Sequence, residues 1–375
     1  MKSTLVLIFL FAVFARSYSV EITGNIMDAD TGKPVEYAAV YINGTTIGTI
    51  SSTDGYFSLN YEIDNCQLVI NHLSYKLVVL DITPEYSRNL KINLEPKNIE
   101  ISQINVQSEN LRSKNMTYFK KIFLGNNFWG ENAEILNDSV LVFRSEYFGD
   151  DAPKKELINK IKSFEVKATA PLQIDLPRLG YLLQYDMVKF VEAYDPQLGM
   201  NVINNAGYTY FKAYDQVSRL QEMRFRRNRY KVYYHSIMHF MRSLYENKLA
   251  ENGYDVFTYS KNDSVKTMDQ FSLDSCGCIT YENDEAYITG MKGREMIIYY
   301  YTNNFKPINL SKFNDDASWR ILTGLRPESY SLLYVGKDTC VIRKDGTLPG
   351  GGELIFNGDI AKKRYGAYLP SDFEP

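Results

Sequence analysis

From Val20 onward, apolar side chains recur at every second residue. Val20, Ile22 and Ile26 line one side, with Gly24 between them, and this alternation predicts a half-buried strand. Val40 with Ile42, Ile47 with Thr49, and Phe57 with Leu59 continue the period. So do Leu68 with Ile70, Leu77 with Val79, and Leu90, Ile92 and Leu94. Asp30-Thr31-Gly32-Lys33-Pro34, Asn43-Gly44 and Asp54-Gly55 separate these runs with residues that suit reversals. About seven short strands at this spacing predict a β-sandwich over residues 20–96.

The pattern changes after Pro96. Residues 97–112 read as a linker with one alternating strand, and 113–375 as a strand-rich α+β region. Met116, Phe119 and Phe123 lie at helical spacing and predict a helix from Ser113 to Leu124, stopped by Gly125. A second helix is expected from Ser236 to Asn252, where Ile237, Phe240, Met241 and Leu244 follow the i, i+3, i+4, i+7 rule. Strands are expected near Val140–Phe143, Phe164–Ala168, Tyr181–Phe190, Tyr208–Phe211, Val256–Tyr259, Ala286–Ile288, Glu295–Tyr301, Trp319–Leu322 and Thr339–Ile342. The tail from Gly358 reads as a short helix ending at Leu369-Pro370. The fold class is therefore mainly β with α+β.

Several phrases carry a resemblance. Gly24-x-Ile26-x-Asp28-x-x-Thr31-Gly32-x-Pro34, then Ala39-Val40-x-Ile42-x-Gly44-Thr45-x-x-Gly48-Thr49, then Thr53-Asp54-Gly55-x-Phe57-x-Leu59 are similar to the carboxypeptidase-regulatory-like domain. That family is a prealbumin-type, immunoglobulin-like sandwich. It occurs after metallocarboxypeptidase catalytic domains and, in some Gram-negative bacteria, before the plugs of outer-membrane nutrient receptors. The resemblance implies a non-catalytic domain in an envelope setting. Phe123-Leu124-Gly125, Leu179-Gly180-Tyr181, His239-Phe240-x-Arg242-x-Leu244 and Leu369-Pro370-x-Asp372-Phe373 resemble a group of exported proteins that pair this sandwich with a C-terminal region of similar length. That resemblance transfers no catalytic residue. A small residue is usual in that group where this chain has His235.

The first residues agree with export. Lys2 precedes an apolar run from Leu5 to Phe14, and Ser17 and Ser19 supply small residues at a cleavage site, so residues 1–19 read as a signal peptide. The run is shorter than the ~20 residues of a spanning helix, and no transmembrane span is expected in the mature chain. No cysteine stands at the cleavage region, which argues against a lipid anchor. The expected location is the periplasm, with outer-membrane association as the finer expectation. The residues beyond Pro96 are too few for a 22-stranded transporter barrel and its plug, at about 10 residues per strand. An accessory role in nutrient uptake remains compatible.

Composition and candidate chemistry narrow the function further. Lys+Arg of 42 against Asp+Glu of 45 gives a net charge of -3, without the basic excess of a nucleic-acid binder. The 30 tyrosines against two tryptophans suit strands with half-exposed faces more than a sugar-stacking groove. Cys66, Cys276, Cys278 and Cys340 permit two disulfides in three pairings. Cys276-Gly277-Cys278 is tighter than the usual redox or zinc spacing.

His235 and His239 stand i, i+4 at the start of the second predicted helix, on one face, and are the weak metal candidates. A zincin helix would carry Glu after the first histidine, where this chain has Ser236. The metallocarboxypeptidase pair His-x-x-Glu is missing, because Tyr75, Met238 and Arg242 follow His72, His235 and His239 at that distance. The glycines at 346 and 350–352 lack the Lys-Ser or Lys-Thr of a phosphate loop, and no Gly-x-Ser-x-Gly elbow occurs. No cofactor is expected. Arg219 to Lys231, with Arg224, Arg226, Arg227 and Arg229, is the one basic cluster, either a solvated helix or strand face or a patch for lipopolysaccharide, phospholipid headgroups or an acidic partner. Asp138-Ser139-Val140 and Asp263-Ser264-Val265 resemble O-glycosylation sites, making Ser139 and Ser264 candidates. Together these features point to a non-enzymatic binding module of the envelope with a protein or receptor partner. The alternative is a hydrolase of unrecognised type in the C-terminal region, metal-dependent through His235 and His239.

Overall fold

The computed structural model describes residues 20–61, 65–97, 108–150, 154–157, 160–196, 199–259, 268–270, 278–282, 285–301, 329–349 and 354–375. The chain divides into two compact units, Met1–Ile42 with Ile47–Asn98, and Asn43–Thr46 with Ile99–Pro375.

In the first unit the period-two runs form β1 (Val20–Asp28), β2 (Ala39–Ile42), β3 (Gly48–Ile50), β4 (Tyr56–Tyr61), β5 (Cys66–Asn71), β6 (Val78–Ile82) and β7 (Leu90–Leu94). They make two sheets, β4-β1-β7 and β3-β2-β5-β6. Ile22, Ile26, Phe57, Leu59, Leu90, Ile92 and Leu94 of the first sheet share one core with Val40, Ile42, Leu68, Ile70 and Ile82 of the second. β7 shows the strict alternation of a strand with one dry face, buried at Leu90, Ile92 and Leu94 and exposed between. β1 runs parallel to β7, with Gly24 opposite Leu90. A Cβ at Gly24 would sit 2.6 Å from the Leu90 carbonyl oxygen and 2.9 Å from the Phe57 ring. Only glycine allows that approach.

The motif around Asp28 is also structural. Its carboxylate accepts hydrogen bonds from the Asp30 and Thr31 backbone N–H groups at 2.9 and 2.7 Å, the Thr31 hydroxyl at 2.9 Å and the Tyr75 hydroxyl at 2.8 Å. These donors, led by the Thr31 backbone, lower its pKa to about 2. The Asp-x-x-Thr-Gly phrase thus closes a turn at the end of β1, with Gly32 in the left-handed region at φ 66°.

The second unit begins with α1 (Glu109–Phe123) and α2 (Phe128–Glu131), followed by β8 (Glu134–Ile135), β9 (Leu141–Tyr147), β10 (Ile161–Ala168), β11 (Leu172–Leu176), β12 (Tyr181–Asp195) and β13 (Met200–Ala213). The long β12 organises this sheet. Its first residues pair with β11 and its later ones with β10, while β13 runs antiparallel along its whole length. α1 lays Phe119 and Phe123 on the sheet against Phe143, Tyr185 and Phe190. Next come α3 (Arg219–Tyr233) and α4 (Ile237–Tyr245). Then follow β14 (Tyr254–Tyr259), β15 (Met268–Gln270), β16 (Ile279–Glu282), β17 (Glu285–Thr289), β18 (Glu295–Tyr300), β19 (Ser329–Val335), β20 (Thr339–Arg343) and β21 (Leu354–Gly358). These strands form the sheets β15-β14-β18-β19-β21 and β16-β17-β20. They share a second core with Phe240, Met241 and Leu244 of α4. The unit therefore holds two cores, and the mainly β, α+β architecture is the one expected.

The helix bounds differ from expectation for local reasons. α1 starts four residues before Ser113, where the Ser108 hydroxyl accepts the Leu111 N–H and Glu109 occupies the first turn. That turn is polar and carries no apolar period. α4 stops at Tyr245 rather than Asn252, because Asn247 adopts φ 56° and the Lys248 N–H bonds back to the Ser243 carbonyl at 2.8 Å. This is a Schellman stop made with Asn in place of Gly. The expected terminal helix is instead two 3-10 turns, Ile360–Lys362 and Tyr365–Ala367. The strand expected at Trp319–Leu322, the glycines at 350–352 and Cys276 lie outside the described residues. Cys278 is disulfide-bonded, whereas Cys66 and Cys340 are buried thiols.

Candidate functional site

α3 carries the basic cluster. Ser218 caps it, its hydroxyl accepting the Gln221 N–H while the Gln221 side chain accepts the Ser218 N–H. This capping box starts the helix where the arginine run begins. At the other end the Lys363 ammonium donates to the carbonyls of Val232 and Tyr234, placing a cation on the helix C-terminus. Burial lowers the Lys363 pKa to about 8. Phe225, Val232 and Tyr233 are the buried residues of the helix.

The four arginines do not act as one patch. Arg229 turns inward: its Nε donates to the Leu179 carbonyl at 2.8 Å, its Nη1 bonds Glu222 at 3.2 Å, and its guanidinium lies 4.2 Å over the Tyr181 ring. Its side chain is 13% exposed. Arg224, Arg226 and Arg227 are exposed, as are Arg219 and Lys231. Arg226 also contacts the Tyr230 hydroxyl at 3.3 Å. Glu222 is the only acid in the helix, and Arg229 engages it. The outward surface is therefore cationic. Arg219 and Lys231 bound the cluster already visible in sequence, and helical spacing within it also picks out the outward-facing Leu220 and Met223. Lys363 could not be found that way, being 129 residues from the Tyr234 carbonyl it caps.

His235 and His239 are close but do not share a helix face. His235 precedes α4 in the left-handed region at φ 58°, where His is among the few non-glycine types enriched, and its ring stacks on Tyr300 at 4.7 Å. Ser236 caps α4 by accepting the His239 N–H. Nδ1 of His239 lies 3.3 Å from the His235 backbone nitrogen and 2.8 Å from the Tyr254 hydroxyl, with which it shares a hydrogen bond. Burial, with the nearby Lys363 ammonium, lowers both histidines to about 4. They are neutral aromatic packing partners near pH 7. Among the described residues, no group of three or more His, Cys, Asp or Glu is placed to hold a metal ion.

Ser139 is exposed in a 3-10 turn, Asp138–Val140. Ser264 lies outside the described residues. Among the described residues, no helix is long and apolar enough to cross a membrane.

Comparison with known proteins bears mainly on the first unit. No curated protein matches the chain. Among solved structures, a candidate membrane-associated protein of unknown function from Bacteroides fragilis NCTC 9343 is 13% identical, with a TM-score of 0.17, over 52% of this chain and 99% of that one. That likeness is too low to argue from. Residues 22–106 match the family described as CarboxypepD_reg-like domain. The chain thus carries a carboxypeptidase-regulatory-like domain as its N-terminal sandwich, in agreement with the motifs from Gly24 to Leu59.

Proposed function

We propose that this chain is an exported, non-catalytic binding protein of a Gram-negative envelope. In this reading residues 1–19 direct export to the periplasm, and residues 20–96 serve as an interaction sandwich. Residues 97–112 link it to the α+β region at 113–375, which presents α3 to an anionic partner. An accessory role beside an outer-membrane nutrient receptor follows from the domain's occurrence before receptor plugs. The observation that carries the reading is the outward face of α3, where Arg219, Arg224, Arg226, Arg227 and Lys231 are exposed and Glu222 is engaged by Arg229. A surface so one-sided in charge favours an acidic or phosphate-bearing partner.

The test is a photo-crosslinking residue at position 227 in cells, compared with one on the exposed Lys167 of β10. Crosslinks to envelope components at 227, lost when Arg224→Glu/Lys231→Glu is combined with it, are expected. Equal yields at both positions would refute the reading. Ser139 is proposed as an O-glycosylation site, and an intact mass equal to the unmodified mature chain would exclude it.

A further inference from the structure

We infer that α3 docks on an anionic lipid bilayer, with Leu220 and Met223 entering between headgroups and Arg224, Arg227 and Lys231 ranged over the phosphates. This deepens the reading of α3 as an anionic-partner surface and rests on it. At 3.6 residues per turn, positions 220, 223, 224, 227 and 231 fall on one stripe of the helix. All five are exposed, Leu220 at 68% and Met223 at 61%. The stripe extends about 16 Å along the helix axis, at 1.5 Å per residue.

The opposite side holds the helix in this orientation. Phe225 and Val232 are buried, and Arg229 is tied to Leu179 and Glu222. The outward apolar side chains therefore do no packing within the unit. A soluble polyanion would be bound by the cations alone. A bilayer uses both, because its headgroups attract the arginines while the boundary beneath them accepts apolar side chains.

The surface beside α3 has the same mixed chemistry. Asn228 donates to the Arg178 carbonyl at 2.9 Å, which brings the turn before β12 against the helix. There the Arg178 guanidinium lies 5.3 Å over the Phe128 ring, and Phe128 is 54% exposed. Tyr234, 46% exposed, follows the helix C-terminus. Amphipathic aromatic and arginine side chains of this kind suit the headgroup layer.

The experiment is co-sedimentation of the mature full chain with phosphatidylcholine vesicles, with and without phosphatidylglycerol, at two salt concentrations. Binding only to the anionic vesicles, weakened by salt, is expected. Arg224→Glu/Arg227→Glu should weaken it more than tenfold, since each cation at a membrane surface contributes about fivefold. Leu220→Ser/Met223→Ser should weaken binding while leaving its salt dependence intact. All four positions are exposed, and circular dichroism checks that the variants stay folded. Equal binding to both vesicle types, no binding, or wild-type binding by either variant would overturn the inference. If vesicles fail while crosslinks at position 227 still reach an acidic envelope protein, lipid docking falls and the broader reading stands. Failure of both removes both.

Discussion

Replacing Arg242 should loosen the C-terminal segment and destabilise the second unit. Arg242 is 7% exposed, on α4. Its guanidinium donates from Nε to the Asp345 carbonyl at 2.9 Å, from Nη1 to Phe373 at 2.9 Å and from Nη2 to Ser371 at 2.7 Å. It also lies 5.5 Å over the Tyr233 ring. Each hydrogen bond to a charged group contributes about 1.5–3 kcal/mol, which would sum to about 4.5–9 if the three were independent. They are not independent, because one guanidinium makes all three and its removal also relieves a buried charge. The expected cost of Arg242→Met is therefore about 3–4 kcal/mol, in the range for breaking a buried polar network. Arg242→Lys should cost about 2 kcal/mol, since an ammonium lacks the planar fork that spans three carbonyls. Urea unfolding measures both, read as a shift in midpoint at unchanged slope. Hydrogen exchange over residues 365–375 tests the mechanism, because the segment should lose protection first. If Arg242→Met unfolds within about 0.5 kcal/mol of the parent and the tail keeps its protection, the clamp is not structural.

Gly24→Ala should cost about 1–3 kcal/mol, the range for overpacking, because the new methyl would press on the Leu90 carbonyl 2.6 Å away. A thermal melt of the sandwich unit checks this, and an unchanged melting temperature would refute the close approach. Acid should weaken the second unit through its histidines. His239 has its folded pKa lowered to about 4 from 6.5, so as pH falls below 6.5 the unfolded chain takes a proton that the folded chain refuses. Stability should drop by about 2 kcal/mol between pH 7 and pH 5 from His239 alone. His239→Gln should flatten that slope, and urea titrations at the two pH values would show whether it does.

The elements legible from sequence were those whose cause is local. Alternation every second residue placed the seven strands of the sandwich, because a strand with one dry face must repeat with that period. Gly24 and Asp28 stood in a recognisable motif, since a close strand approach and a carboxylate-closed turn each need one residue type. Helix ends were less legible. Asn247 ended α4 through a left-handed residue, a choice that the apolar period of Phe240, Met241 and Leu244 does not encode.

Residue type alone left the direction of each charged side chain open. Arg224, Arg226, Arg227 and Arg229 look alike along the chain, yet Arg229 is drawn inward by a carbonyl and an aromatic ring that other segments supply. His235 and His239 have helical spacing, but the left-handed turn at His235 and the buried Tyr254 hydroxyl decided their roles. The phrases around Arg242 and around Leu369–Phe373 were each visible in sequence, as separate features. Their union is a tertiary event, because Arg242 reaches the Ser371 carbonyl across 129 residues of chain. Backbone carbonyls are the same at every position in the sequence, so only folding could select which of them would hold a buried cation.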